Sequence, residues 1–352
     1  MSKFVSSEEL YKIFVENGFS HTEAALKVGK DPSNIGKRIR RYAREKKLPL
    51  NPWEGERDFE ITLPPTDELP IEEVIQHHKR AFERKHKHAE GSKLIPCRVK
   101  IDGPIGVLHF GDPHLDNPGT DLGLFEEHCN LVMDTPALYC ANVGDVTDNW
   151  VGRLAKLYAE SKTTAADGWR LAEHYINYVS DKLLYLIGGN HDAWSGSADP
   201  LKWITRQVAA LYQSSEVRIN LRFPNKSTCR INARHDFAGH SQWNPAHGPG
   251  KALMLGFRDH IAICGHRHKS GHMQLKDPQE GINMQAIQVA SYKTYDTYAK
   301  EKGFRDQTLS PCCVTVINTE LDEAHPDRIH VFWDAQEGAR YLTLLRQSYG
   351  FK

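Results

Sequence analysis

Short apolar runs recur through the middle of the chain, each closed by glycine or a polar loop. Ile105 to Phe110, Ala137 to Val143, Leu183 to Ile187, Thr228 to Ala233 and His260 to Cys264 have the length and punctuation of buried strands. Between them lie longer stretches with apolar residues at helical spacing: Leu122 to Met133, Leu154 to Asn177, Leu201 to Tyr212 and Lys251 to Arg258. Asn283 to Ala290, Cys313 to Ile317 and Arg328 to Phe332 add strand signals further on, and residues 336–352 a helical tail. Strand and helix alternating in this way predict an α/β layered domain over residues 103–335.

The first five strand signals each run into a loop carrying Asp, Asn or His. The loops are Asp112-Pro-His114, Gly144-Asp145-Val-Thr-Asp148, Gly189-Asn190-His191-Asp192, His235, and Gly265-His266-Arg-His268. A twisted α/β sheet binds ligands at the carboxyl ends of its strands, so these loops converge on one edge. Together they read as a two-metal site for cleaving phosphate esters. Their order resembles that of the calcineurin-like metallophosphoesterases, over roughly Gly103 to Trp333.

That resemblance implies a four-layer αββα sandwich with two divalent metals at the strand ends. Asp112, His114, Asp145 and His268 would surround one metal, and Asp145, Asn190, His235 and His266 the other, with Asp145 shared. A shared carboxylate lets two dications sit about 3.5–4 Å apart and clamp both oxygens of an in-line displacement, with a metal-bridging hydroxide as nucleophile. His191 would face the leaving group as general acid or charge stabiliser, oriented by the Asp148 carboxylate. Asp192 is either a further partner of that imidazole or a carboxylate capping the loop. The mixed ligand set suits Mn²⁺ foremost, then Fe²⁺ or Zn²⁺, better than Ca²⁺.

One departure from the family's protein phosphatases bears on substrate. They continue the second motif as G-D-x-x-D-R-G, with the Arg gripping a terminal phosphate, whereas here Asn149-Trp150 follow Asp148. Loss of that clamp tilts the expectation to diesters, with Arg153 the one substitute phosphate ligand nearby. His235 directly follows a strand signal and is preferred as ligand over His240 and His247, which fall to the loop. His109 alternates with Val107 inside a strand and belongs to the core or to the support of the site.

The formal net charge of zero over 352 residues hides a strong asymmetry. Residues 1–48 carry 11 basic and 6 acidic residues, net +5; residues 71–100 carry 8 and 4, net +4; residues 49–70 carry 1 and 6, net −5, with five prolines. The first stretch predicts three short helices: Glu8 to Asn17, one opened by the capping box Ser20-His-Thr-Glu23, and one from Asp31 to about Lys46. The third would present Lys37, Arg38, Arg40, Arg41 and Arg44, with Asn34 at its start, and the arrangement is similar to helix-turn-helix modules that place a last helix in the DNA groove. A protein-docking module is the alternative. The Pro-rich acidic stretch 49–70 predicts an extended linker, and Glu72 to Glu90 a basic, His-rich helix within a connector that reaches residue 102.

Seven cysteines without a C-x-x-C pair, no signal peptide and no long apolar span predict a reduced cytoplasm and no membrane partner. Tyr292, Tyr295 and Tyr298 are spaced for base stacking, although packing of a helix face on the sheet accounts for them better. The sequence therefore predicts a metal-dependent phosphodiesterase or nuclease with nucleic acid, DNA foremost, as partner, and with scope for homo-oligomers. A phosphomonoesterase or small-nucleotide phosphodiesterase docked on a partner is the alternative enzyme. A catalytically silent DNA-binding regulator is the third expectation.

Overall fold

The structure is a computed structural model that describes residues 5–51, 61–62, 64–296, 300–301, 303, 305–306 and 310–351. It divides into two compact units, residues 1–77 and 78–352.

Among the described residues, the first unit holds three complete helices, α1 (Ser7–Glu16), α2 (His21–Lys27) and α3 (Pro32–Lys46). Each starts where a side-chain oxygen meets the free amides of a first turn: Ser6 accepts from Glu9, Ser20 from Glu23, and Asp31 from Ser33 and Asn34. Leu10, Phe14, Ala24, Ala25, Ile35, Ile39 and Ala43 bury one face of each helix in a common core. The described linker residues 49–51, 61–62 and 64–70 form no helix or strand, and Pro49 accepts a hydrogen bond from the Tyr11 hydroxyl. Pro52 and residues 53–60 and 63 lie outside the described residues. Helix α4 (Ile71–Ser92) has no buried residue.

The second unit is built on two six-stranded sheets. Strands β2 (Ile105–Phe110), β3 (Leu138–Asn142), β4 (Leu183–Ile187) and β5 (Tyr212–Gln213) run parallel in the first sheet. β11 (Cys312–Ile317) and β12 (Ile329–Phe332) extend it antiparallel beyond β2. The second sheet has the order β1 (Ile95–Arg98), β6 (Glu216–Arg222), β7 (Thr228–Arg234), β8 (Ile261–Cys264), β10 (Asn283–Gln288) and β9 (Gly271–Lys276). In it β7, β8 and β10 run parallel.

Strand alternation creates the layers. Ile105 and Val107 of β2 join Val217, Ile219, Ile231 and Ile263 in a core between the two sheets. Leu108 and Phe110 point the other way, into a core closed by α5 (Leu122–Asp134), α7 (Ala165–Val179), α9 (Pro200–Gln207) and α11 (Ala335–Ser348). On the far face of the second sheet, α10 (His247–Leu255) covers Ala262, Met284 and Ala286. The result is the expected four-layer αββα sandwich. His109 lies on the inter-sheet face, fully buried, between Thr315 Oγ1 at 2.9 Å and the Tyr185 hydroxyl at 3.3 Å.

Several elements depart from the sequence expectations. The stretch 154–177 is not one helix: a 3₁₀ turn (Gly152–Leu157) and the short α6 (Tyr158–Ser161) precede α7, which restarts at a capping box between Thr164 and Asp167. The helix expected over 201–212 stops at Gln207, and Tyr212 begins β5. Strands β6 and β9 escape a search for continuous apolar runs because polar residues alternate along them, and β1 escapes because it is four residues long with a proline inside it. The 71–102 connector thus contributes an edge strand. The C-terminal helix is no tail: Ala335, Ala339 and Leu342 of α11 sit in the core. Among the described residues no helix is long and apolar enough to cross a membrane.

Two outcomes test this packing. At Gly338 an added Cβ would stand 2.6 Å from Val314 Cβ, so Gly338→Ala forces α11 off β11 and lowers stability by about 1–3 kcal/mol in urea denaturation. Burial holds the His109 pKa down at about 3, from an ordinary 6.5. The unfolded chain binds a proton that the fold excludes, so the His109 contribution is intact above pH 6.5 and is lost as pH falls, by about 2 kcal/mol at pH 5. The stability gap between wild type and His109→Asn should shrink by that amount between pH 7 and 5.

Candidate metal centre

The five motifs occupy one edge of the sandwich because five parallel strands end there. β2 delivers Asp112, β3 Asp145, β4 Asn190 and His191 at the start of the short α8 (Asn190–Ala193), β7 His235, and β8 His266. Backbone bonds tie the loops to one another: His114 N–H donates to the Asp145 carbonyl (3.1 Å), and Gly265 N–H to that of His235 (3.1 Å). Ser291, just beyond β10, donates through Oγ to the Asp112 carbonyl at 2.6 Å. The loops are tight. His114, Asp145, Asn149, His266 and His268 all adopt positive φ, between 42° and 66°, where a Cβ is disfavoured. Strain of this kind persists only where the surroundings over-determine it, and it clusters at functional sites. At Gly189 a Cβ would lie 2.0 Å from Asp145 Oδ1, so glycine is what allows the two loops to meet.

Two neighbouring groups of side chains gather here. In one, Asp112, His114 and His268 bring their ligand atoms within 4.8 Å; in the other, Asp145, His235 and His266 do so. His114 Nε2 is 3.3 Å from His268 Nε2, and His268 Nε2 is 3.4 Å from Asp112 Oδ2. His235 Nε2 lies 3.2 Å from Asp145 Oδ2, 3.0 Å from Asn190 Oδ1 and 3.1 Å from His266 Nδ1. The His235 Nδ1–H donates to the Val143 carbonyl (2.9 Å), which leaves its Nε2 lone pair facing the site. Asp145 Oδ2 is 4.0 Å from His114 Nε2 and 3.9 Å from His191 Nε2.

The electrostatics of this centre call for positive charge. Burial and Lys293 push the His114 pKa down to about 4, so its imidazole is neutral at pH 7. Burial opposes a proton on His235, yet Asp145 and Asp112 outweigh it and hold that pKa up at about 10. Burial likewise works against ionised Asp145 and Asp148, but their cationic neighbours keep both carboxyls far below the usual range. Asp112 Oδ1 is buried without a hydrogen-bond partner among the described residues. Imidazole lone pairs, an amide oxygen and carboxylates converging at 3.0–3.4 Å repel one another unless a proton or a cation stands among them. The donor set therefore fits divalent metals.

Other expected residues are placed differently. The Asp148 carboxylate does not hold His191: Oδ1 lies 2.8 Å from His114 Nδ1 and 3.3 Å from Lys293 Nζ, and Oδ2 accepts from Asn117. Its carbonyl takes that part, accepting from His191 Nδ1–H at 2.7 Å. Asp192 is the loop cap, fully buried and accepting from the Gly189 (2.8 Å) and Val146 (3.4 Å) amides. Arg153 is exposed on the 3₁₀ turn, and the cation lining the cleft is Lys293. His240 and His247 are exposed. Tyr292 is core, bonded to His128 at 2.8 Å; Tyr295 is exposed, and Tyr298 lies outside the described residues.

In the first unit, Asn34, Lys37, Arg40, Arg41 and Arg44 are exposed along α3, whereas Arg38 donates to the Val5 carbonyl at 2.8 Å.

Lys293, Asp116, Asn117, Trp150 and Trp194 belong to this centre without having been foreseen. Asp116 accepts from the Asp148 amide (2.6 Å) and the Tyr158 hydroxyl (2.9 Å). Lys293 is only 8% exposed, bridging Asp148 and Asp296; burial opposes its charge, but the two carboxylates outweigh burial and raise its pKa. Only the tryptophans gave a usable signal, standing two and three residues beyond Asp148 and His191.

Two facing sheets whose parallel strands carry these ligand loops at their carboxyl ends are the arrangement that the sequence resemblance implied. No family model matches the chain, and no curated protein does. Among solved structures it is similar to the calcineurin-like phosphoesterase YfkN from Bacillus subtilis, with 11% identity, coverage of 70% of this chain and 96% of that one, and a TM-score of 0.36. It is also similar to the Pseudomonas putida nuclease MPE, with 13% identity, coverage of 64% and 87%, and a TM-score of 0.31. Likenesses of this extent carry no weight for activity or substrate.

Lys293→Gln would leave the buried Asp148 and Asp296 without their shared ammonium. Urea denaturation of the metal-free protein should then show a loss of about 3–5 kcal/mol. A loss near zero would mean that the bridge is not formed in solution.

Proposed function

We propose that the chain is a two-metal phosphodiesterase that hydrolyses nucleic acid, DNA foremost. The observation that carries this is the pair of neighbouring ligand groups, Asp112 with His114 and His268 and Asp145 with His235 and His266, with Asp145 Oδ2 only 4.0 Å from His114 Nε2. Asp112, His114, Asp145 and His268 would hold one cation, and Asp145, Asn190, His235 and His266 the other, with Mn²⁺ the best match to the mixed donors. When bound, the cations supply Lewis acidity, lowering the pKa of water and neutralising phosphate oxygens. The chain's own contribution centres on His191. Its Nδ1–H is fixed on the Asp148 carbonyl, so Nε2 is the atom free to give a proton to the leaving oxygen. Asp148 and Lys293 hold His114 in position.

Preference for a diester follows from the charge of the cleft. Lys293 is already matched by two carboxylates, and Arg153 is exposed outside the cleft lining. Among the described lining residues a dianionic terminal phosphate finds no lysine or arginine that is not already matched by carboxylates, while a monoanionic diester needs none. The first unit supports nucleic acid as partner: α3 exposes Lys37, Arg40, Arg41 and Arg44, cations that release counterions on contact with phosphates. Its three capped helices would act as a helix-turn-helix module, with α3 as the helix that meets DNA. Seven free cysteines, six of them buried, suit a reducing cytoplasm. The intact ligand set speaks against a catalytically silent regulator.

Protein loaded with Mn²⁺ should cleave labelled DNA and bis(p-nitrophenyl) phosphate. His191→Ala should lower kcat by about 100-fold or more, and Asp145→Asn should abolish turnover. Hydrolysis of p-nitrophenyl phosphate alone would replace this proposal with a phosphatase. For the first unit, replacing Lys37, Arg41 and Arg44 by alanine in the full chain should weaken DNA binding and reduce the salt dependence of log K by about three. An unchanged salt dependence in fluorescence anisotropy would make α3 a protein-docking helix.

A further inference from the structure

The proposed general acid is walled by indole rings. Trp194 lies 4.2 Å from His191 between ring centroids, tilted by 35°, and Trp150 meets the same imidazole edge-on at 5.1 Å. The two indoles are 5.8 Å apart at 32°. Trp150 is 6% exposed, with its backbone N–H donating to the Tyr158 hydroxyl; Trp194 keeps 37% of its surface open. A cavity of about 310 Å³ joins this wall to the reacting groups: Asp145, Asn190 and His191 line it together with Trp150, Leu154 and Trp194. The Lys293 ammonium stands 5.9 Å from the Trp150 ring.

A shield for His191 would require only buried aromatic surface, and Trp150 already supplies it. Trp194 is instead a flat, half-open face in a cavity of ligand size, next to the atom assigned to the leaving oxygen. Nucleobases stack on such faces whatever their sequence, because every base has a π-face. A phosphoserine, a phosphothreonine or a polyol phosphate has no group that would use it.

We infer that Trp194 is a stacking platform for the nucleobase on the leaving side of the scissile phosphate, which makes this a site for nucleotide esters. This rests on the phosphodiesterase reading above. The platform selects the substrate through its aromatic portion and is indifferent to which base it holds.

The test compares Mn²⁺-loaded hydrolysis of a thymidine dinucleotide with that of two analogues, each carrying an abasic tetrahydrofuran residue on one side of the phosphate, and of bis(p-nitrophenyl) phosphate. Loss of the leaving-side base should lower kcat/KM by about fivefold or more in the wild type. In Trp194→Leu the ratio of dinucleotide to leaving-side analogue should fall to near one, and in Trp194→Phe it should largely survive. A wild type that makes no distinction between dinucleotide and analogues, or a Trp194→Leu variant that keeps the wild-type ratio, overturns the platform and leaves the phosphodiesterase reading standing. So does hydrolysis of bis(p-nitrophenyl) phosphate with no cleavage of any dinucleotide. Failure on all four diesters overturns the phosphodiesterase reading and the platform with it.

Discussion

Asp145 is a buried carboxylate whose charge has to be compensated by whatever stands among the imidazoles around it. Its carboxylate is 2% exposed and lies within 4.0 Å of imidazole nitrogens from three separate loops, while Asp112 presents a second buried carboxylate to the same space. An ionised carboxylate in such surroundings is tolerable only with compensating positive charge. Without a metal, His235 provides it by holding a proton, which is the meaning of its raised pKa. A metal held there would displace that proton, and His235 would offer it the freed lone pair. The same residues are thus arranged for cation binding in either state, and their convergence dictates the conformation of the loops around them.

The sandwich supplies the rigidity that this demands. Positive φ at His114, Asp145, His266 and His268 costs stability at each position, and the loops keep these conformations because the strands behind them are anchored in the inter-sheet core. Hydrogen bonds between loops pass the constraint across the edge: the Asp112 carboxylate accepts from the His266 amide at 2.6 Å, and Asp145 from the His191 amide at 2.9 Å. Glycine at 189 allows a contact closer than any side chain would permit. Binding site and fold are therefore coupled through backbone geometry as much as through ligand identity.

Four of the five loops were legible in the sequence because each combines a buried apolar strand with a motif of fixed spacing, and His235 was picked out only by its place directly after a strand signal. The helices of the first unit were legible through their caps at Ser20 and Asp31. What stayed hidden depends on contacts between distant segments. Lys293 lies 145 positions from Asp148, and no local pattern announces that the two meet. The role of the Asp148 carbonyl, in place of its carboxylate, follows from a loop turn at Asn149 with φ of 42°. Strands β6 and β9 and the packing of α11 were missed for a related reason, since an alternating strand or a C-terminal helix reveals its partner only in the fold.

If the Asp145 carboxylate is shared between two cations, its removal should release both. The most direct measurement is metal content per chain, by inductively coupled plasma mass spectrometry on full-length protein equilibrated with Mn²⁺ and desalted, with Asp145→Ala beside the wild type. Two ions per wild-type chain and a loss of both affinities in the variant would agree with a shared ligand. A wild type that retains no metal, or a variant that still holds two, would contradict it.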